Sequence, residues 1–150
     1  MINIQFIKSP EKRKIVKELE EQYGITELPY LFLQAGKDKI RGFSGHLSKD
    51  EIFSLAKLAN IELIGLYLLK KEQDWRINFD ALPLIKKQIN KNIFPIDDQQ
   101  FQKWIRGNDI EAQAQKGTLI IQYNKDFVGS GKSNGQVIFN YVPKERRIRK

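Results

Sequence analysis

The stretch from Phe127 to Arg149, FVGSGKSNGQVIFNYVPKERRIR, decides how the rest of the chain is read. Its first third is rich in glycine, its middle alternates apolar and polar residues, and its end is basic. The alternation from Gln136 to Val142 predicts a strand. Asn134-Gly135 before it is the pair favoured in two-residue hairpin turns, where both positions need positive φ. Gly129 and Gly131 predict a glycine-rich turn ahead of that hairpin. From Lys125 to Lys150 there are seven Lys/Arg against two acids, which accounts for five of the eight net positive charges on the chain. Positive charge is therefore concentrated where strands and turns are expected, not helices. Such a surface, with aromatics nearby, suits a phosphate backbone.

Just upstream, Thr118–Tyr123 reads as a strand, Asn124-Lys125 as a tight turn and Phe127-Val128 as a second strand. Asp97 or Asp98 caps a short helix that buries Phe101, Trp104 and Ile105, and Arg106-Gly107-Asn108-Asp109 ends it. Ile93–Ile96 opens this unit, and Asn90-Lys91-Asn92 marks the boundary. Two domains are expected, 1–91 and 92–150. A β-barrel of about sixty residues is marginal alone and should lean on the first unit.

The N-terminal unit alternates elements. Ile2–Ile7 predicts a strand with Ile2, Ile4 and Phe6 on one face. Ser9-Pro10-Glu11 starts a helix with a hydroxyl cap and proline in the first turn. Ile15, Val16, Leu19 and Tyr23 form its apolar stripe, and Gly24 ends it. Strands are expected over Pro29–Leu33 and Lys39–Ser44, joined by a turn at Gly36-Lys37-Asp38. Ser48 and Glu51 make a capping box before a helix burying Ile52, Leu55, Ala56 and Ala59. Ile61–Leu69 is the strongest strand candidate. Glu72-Gln73-Asp74 turns it into Trp75–Phe79, and Asp80 caps a helix to about Asn90. The fold class is α+β: an α/β unit followed by a small β-barrel.

The length of 150 residues and the 41 % apolar content allow a real core. No run of 18 apolar residues occurs, so no transmembrane helix is expected, and with no basic amphipathic helix evident no membrane partner is expected either. The start MINIQFIKSP lacks a signal-peptide pattern, and the default location is the cytoplasm. Cysteine is absent, which removes disulfides, thiolate catalysis and cysteine-based zinc sites.

Gly131-Lys132-Ser133 has the ending of a phosphate-binding P-loop, but Asp126 stands where that motif has its first glycine, and a strand follows where it needs a helix. The spacing of Gly129 and Gly131 also fails G-x-G-x-x-G, since Asn134 takes the third glycine's place. His46 is the single histidine, so a transition-metal site is not expected. Asp97-Asp98 suits capping better than catalysis. No nucleophile elbow is present. The chain is expected to be no enzyme, with no metal and no cofactor. Trp75, Trp104 and Tyr141 read as core residues, and the role of Tyr123 stays open.

The residues also carry a resemblance. Trp104-Ile105-Arg106-Gly107-Asn108-Asp109, Gly117–Ile121 and Phe127–Gly131 together resemble a PUA domain, the RNA-binding β-barrel of pseudouridine synthases and archaeosine transglycosylases. Gly129-x-Gly131-Lys132 followed by Asn140-Tyr141-x-Pro143-Lys144-x-x-Arg147 is similar to the PUA-like C-terminal part of Sun-family rRNA cytosine methyltransferases. Gly42 to Leu82 resembles the pre-PUA domain of the ribosome-biogenesis factor Nip-seven. The resemblance implies RNA binding through a glycine-rich edge, the last strand and the basic residues beside them. Carried onto this chain, those are Arg106, Gly129, Gly131, Lys132, Asn134, Asn140, Lys144, Arg146, Arg147 and Arg149. It implies structured rRNA or tRNA as partner, in RNA modification or ribosome biogenesis. A separate RNA-modifying enzyme or ribosome-assembly proteins would be further partners, since nothing here supplies a methyl-donor site. The rival reading is a protein–protein adaptor whose basic tail docks an acidic partner.

Overall fold

The computed structural model describes residues 5–44, 48–52 and 65–149. They form two five-stranded sheets with helices packed beside them. The first sheet contains β1 (Gln5–Phe6), β2 (Leu31–Ala35), β3 (Lys39–Phe43), β4 (Leu66–Lys71) and β5 (Trp75–Ile77), in chain order. Every neighbouring pair is antiparallel; short turns join β2 to β3 and β4 to β5, whereas α1 lies between β1 and β2 and a longer connection joins β3 to β4.

Helix α1 (Ser9–Tyr23) closes one face of this sheet. Ile15, Leu19 and Tyr23 recur at helical spacing and are buried. They pack with Phe32, Ile40, Leu69, Trp75 and Ile77 from the strands. Gly24 ends the helix in the left-handed conformation, with φ of 86°, and its N–H returns to the Glu20 carbonyl. The start differs from the expectation. Lys8 is the capping position without a side-chain bond, and Ser9 is already helical. At the N-terminus Ile7, not Phe6, is the buried residue, while Ile2 and Ile4 lie outside the described residues.

The Ser48–Glu51 capping box is present: the Glu51 N–H donates to Ser48 Oγ at 3.2 Å and the Ser48 N–H to Glu51 Oε1 at 3.4 Å. Ile52 behind it is buried. His46, Leu55, Ala56 and Ala59 lie outside the described residues, as does the first part of the Ile61–Leu69 strand. The helix expected over 80–90 is broken instead. A single 3-10 turn at Phe79–Ala81, the short α2 (Leu82–Ile85) and a second 3-10 turn at Lys86–Gln88 follow one another. Asn78, not Asp80, precedes the first turn, and the Asp80 carboxylate bonds Arg146 instead.

The second sheet contains β6 (Ile93–Ile96), β7 (Ile110–Glu111), β8 (Gly117–Tyr123), β9 (Asp126–Ser133) and β10 (Val137–Asn140). Its order, β6-β8-β9-β10-β7, leaves β6 and β7 at the ends of a curled half-barrel. Parallel pairing of β6 with β8 demands a long crossover, which α3 (Asp98–Trp104) supplies. Asp97 caps α3 in a reciprocal box with Gln100. Nothing in the sequence reading marked the two-residue β7.

Two expectations for the quoted stretch are corrected. Gly129 and Gly131 are not a turn: both lie inside β9, a central strand. The loop after β9 also differs, because only Gly135 has positive φ. Asn134 closes the loop with its side chain, accepting from the Gln136 and Val137 N–H groups.

The two sheets share their cores. Ile120 of β8 is fully buried in the first cluster, and Phe127 and Ile93 pack against it. Phe79 from the first half packs against the second cluster of Trp104, Ile110, Leu119, Ile121, Ile138 and Val142. Asp74 fastens the join by accepting from the Thr118 N–H at 2.9 Å and hydroxyl at 2.6 Å.

Candidate nucleic-acid interface

Trp104 is the fixed point from which the C-terminal segment is hung. It is fully buried, and its indole N–H donates to the Val128 carbonyl at 2.8 Å. The ring needs space on β9, and the glycines provide it. A Cβ on Gly131 would lie 2.8 Å from Trp104 Cη2 and 2.8 Å from the Phe139 carbonyl oxygen. One on Gly129 would meet Val142 Cγ2 at 2.8 Å and Trp104 Nε1 at 3.3 Å. Both glycines are buried. The expected open glycine edge is therefore an interior packing feature, and its backbone is covered by Trp104, Ile138 and Val142.

Asn140 is likewise a brace. Its side-chain amide donates to the Trp104 carbonyl at 2.8 Å and the Asn108 carbonyl at 3.0 Å, and its Oδ1 accepts from the Val142 N–H at 2.8 Å. The Asn140 N–H donates to Asp109 Oδ1 at 2.8 Å. Three chain segments are thereby joined at the point where the basic tail leaves the sheet.

The tail folds back rather than running into solvent. Pro143 leads into a 3-10 turn at Lys144–Arg146. The Ile148 N–H donates to the Ile105 carbonyl at 2.7 Å, and Arg147 Nε to the Val142 carbonyl at 3.0 Å. Arg147 lies across Gly107, where a Cβ would come within 2.5 Å of its Cδ. These ties gather Arg106, Lys144, Arg147 and Arg149 around a shallow depression of about 320 Å3 that also includes Ile148. No carboxylate is among the described residues that line it.

The remaining expected residues are placed elsewhere. Arg146 forms a two-pronged ion pair with Asp80, at 3.0 and 3.1 Å, which raises the guanidinium pKa further. Lys132 is half-buried on the face of β9 opposite Gly131, beside its Cα partners Phe139 and Thr118. Phe139 is 41 % exposed, whereas Ile138 is buried. Tyr141, a core residue by its alternation with Val137 and Phe139, is only half-buried, and the register buries Ile138 and Val142 instead.

Tyr141 opens into a second feature, a cleft of about 490 Å3 between the sheets. Lys39, Arg41, Tyr67, Lys70 and Arg76 from β3, β4 and β5 form one wall, and Ser130, Tyr141, Pro143 and Glu145 contribute the other. The Arg76 guanidinium lies 4.4 Å from the Tyr141 ring centroid, and Lys39 Nζ lies 5.3 Å from that of Tyr67. Burial pushes both phenols above the ordinary tyrosine pKa. Sequence reasoning missed this cleft, because its residues are spread from position 39 to position 145.

Residues 91–148 match the family model described as the methyltransferase RsmF PUA domain. The whole chain is similar to the structure of a conserved PUA domain protein from Thermoplasma acidophilum. That likeness has a TM-score of 0.61 at 14 % identity and covers 96 % of this chain and 97 % of that one. No curated protein sequence matches the chain. The matched segment takes in α3, all of the second sheet and the tail as far as Ile148, so the half-barrel bearing the basic cluster is PUA-like, and the chain has the α+β fold of a PUA domain protein.

Proposed function

We propose that this chain is a non-catalytic RNA-recognition module that binds structured rRNA or tRNA through Arg106, Lys144, Arg147 and Arg149. It would serve an RNA-modification or ribosome-biogenesis process and work beside a separate modifying enzyme. One observation carries the reading: the folded-back tail brings Lys144, Arg147 and Arg149 together with Arg106 around a depression with no carboxylate among the described residues that line it. Ordering the tail before binding lowers the entropy cost of presenting these cations to a phosphate backbone. Phosphate contacts of this kind fix position and register on the nucleic acid without reading bases. The similarity of residues 91–148 to the RsmF PUA domain supports RNA as the acidic partner.

The test is a titration of the whole chain with a structured RNA at several salt concentrations. Lys144→Gln with Arg149→Gln is the suitable pair, because both residues are exposed at the depression, whereas Arg147 bonds the Val142 carbonyl. If each cation neutralises one phosphate, the pair should flatten the plot of log affinity against log salt by roughly 1.5 to 2 units. An unchanged slope in a fully folded variant would remove the tail from the RNA site. RNA binding that is weak in both proteins, with capture of an acidic protein partner lost in the variant, would favour the adaptor reading.

A further inference from the structure

The cleft between the sheets contains an arrangement that the fold alone does not explain. Lys39, Lys70 and Arg76 are Cα partners in a row across three strands: Lys39 opposite Lys70, and Lys70 opposite Arg76. Like charges placed directly opposite one another destabilise an antiparallel pair. Glu72 relieves part of the row, standing 3.3 Å from Arg76 and 3.8 Å from Lys70. Arg41 lines the same wall, and the lining carboxylates are Asp80, already paired with Arg146, and Glu145. Among the described residues that line the cleft, four cations, Lys39, Arg41, Lys70 and Arg76, thus face two carboxylates. The excess charge sits among tyrosine rings, at a site large enough for a small ligand.

We infer that this cleft seats an unpaired nucleotide of the bound RNA, its phosphate against the Lys39–Lys70–Arg76 row and its base against the Tyr141–Arg76 stack. The inference rests on the RNA-binding reading above and adds a second, separate contact. Aromatic rings and arginine planes are the surfaces on which splayed RNA bases stack, and a guanidinium lying over a tyrosine offers both in one layer. Only an unpaired nucleotide fits this chemistry, because a base within a helix has no free face. The position also suits a continuous path. Lys144 lines the tail depression, whereas its neighbours Pro143 and Glu145 line the cleft, so a strand leaving one site enters the other across a single turn.

The experiment compares a hairpin RNA with the same hairpin carrying a short single-stranded extension at either end. Wild type should bind an extended form about tenfold more tightly, the scale of one stacked base. Lys39→Gln with Lys70→Gln, and separately Tyr141→Leu, should lose that gain while holding the hairpin as wild type does. Tyr141→Phe keeps the ring and should retain most of the gain, which separates stacking from a loss of fold; thermal melts accompany each variant. An equal gain in wild type and variants, or none in wild type, overturns the cleft inference and leaves the tail reading intact. Gain from the extension with no hairpin affinity would overturn the tail reading and leave the cleft standing. Absence of binding to every RNA would overturn both.

Discussion

Trp104 and Gly131 interlock: the indole occupies the place where any side chain on residue 131 would begin, 2.8 Å from the ideal Cβ position. Gly131→Ala must also meet the Phe139 carbonyl and Ile138 Cγ2, at 2.8 and 2.6 Å. Backbone cannot yield as the tip of a side chain can. Overpacking of this kind costs about 1–3 kcal/mol, and Tm should fall by roughly 2–4 °C for each kcal/mol lost. RNA affinity per folded molecule should stay near the wild-type value, because the glycine is interior. A large affinity loss at unchanged Tm would show that Gly131 itself meets the ligand.

Asn140→Ala should loosen the tail as well as the core. The substitution takes one of two donors from the Trp104 carbonyl, which keeps the Gly107 N–H, and leaves the Val142 N–H without its side-chain acceptor. An unsatisfied buried group costs about 1–3 kcal/mol. Limited digestion with a protease that cuts after Lys and Arg is the direct readout. Cleavage between Lys144 and Arg149 should become faster than in wild type under conditions where both remain folded, and equal rates would show that the tail is held without Asn140.

Arg147 and Lys144 should respond differently to the same change. Arg147 donates to the Val142 carbonyl and covers Gly107, so Arg147→Gln lowers both stability and RNA affinity. Lys144 is exposed at the rim of the depression. Lys144→Gln should change stability by no more than about 0.5 kcal/mol while still reducing the salt slope. Melts and titrations on the two single variants would separate the structural arginine from the purely electrostatic lysine.

Residues 92–150 should fail to fold as an isolated fragment. Ile120 is fully buried in the other unit's cluster, and a residue of that kind loses about 1.5–3 kcal/mol when exposed. Phe127 and the Thr118–Asp74 bonds lose their partners too. Dispersed amide spectra with a cooperative melt from that fragment would contradict this expectation and make the two halves independent.

Tyr23 should make the protein sensitive to alkali. Its ring is fully buried, and its hydroxyl donates to the Trp75 carbonyl. Burial, followed by the nearby Asp74 charge, pushes the phenol well above its ordinary value. The unfolded chain ionises near pH 10 while the folded one keeps its proton, so the unfolded state binds fewer protons above that pH. This contribution is level below about pH 10 and falls by about 1.4 kcal/mol per pH unit above it. In Tyr23→Phe the alkaline decline should be shallower, although the variant starts less stable for want of the hydrogen bond. Denaturant melts from neutral pH to pH 11 would show whether the two curves converge.

The features legible in the sequence were those whose physics is local. Gly24 after an amphipathic helix, the box at Ser48–Glu51, a cap at Asp97 or Asp98, and the turn at Asn124 are each set within a few residues. The charge of the tail was legible for the same reason, since a net charge is a property of composition. Tertiary structure decided what the glycines and the alternating strand were for. Gly129 and Gly131 carry a turn-like composition, yet they serve a tryptophan more than twenty residues earlier, a demand that no local window contains. Val137, Phe139 and Tyr141 looked as suitable for the interior as Ile138 and Val142. Pairing of β10 with both β9 and β7, and the four hydrogen bonds at Asn140, selected the face. The row of Lys39, Lys70 and Arg76 exists only once three strands are in register, because proximity between distant charges is made by the fold.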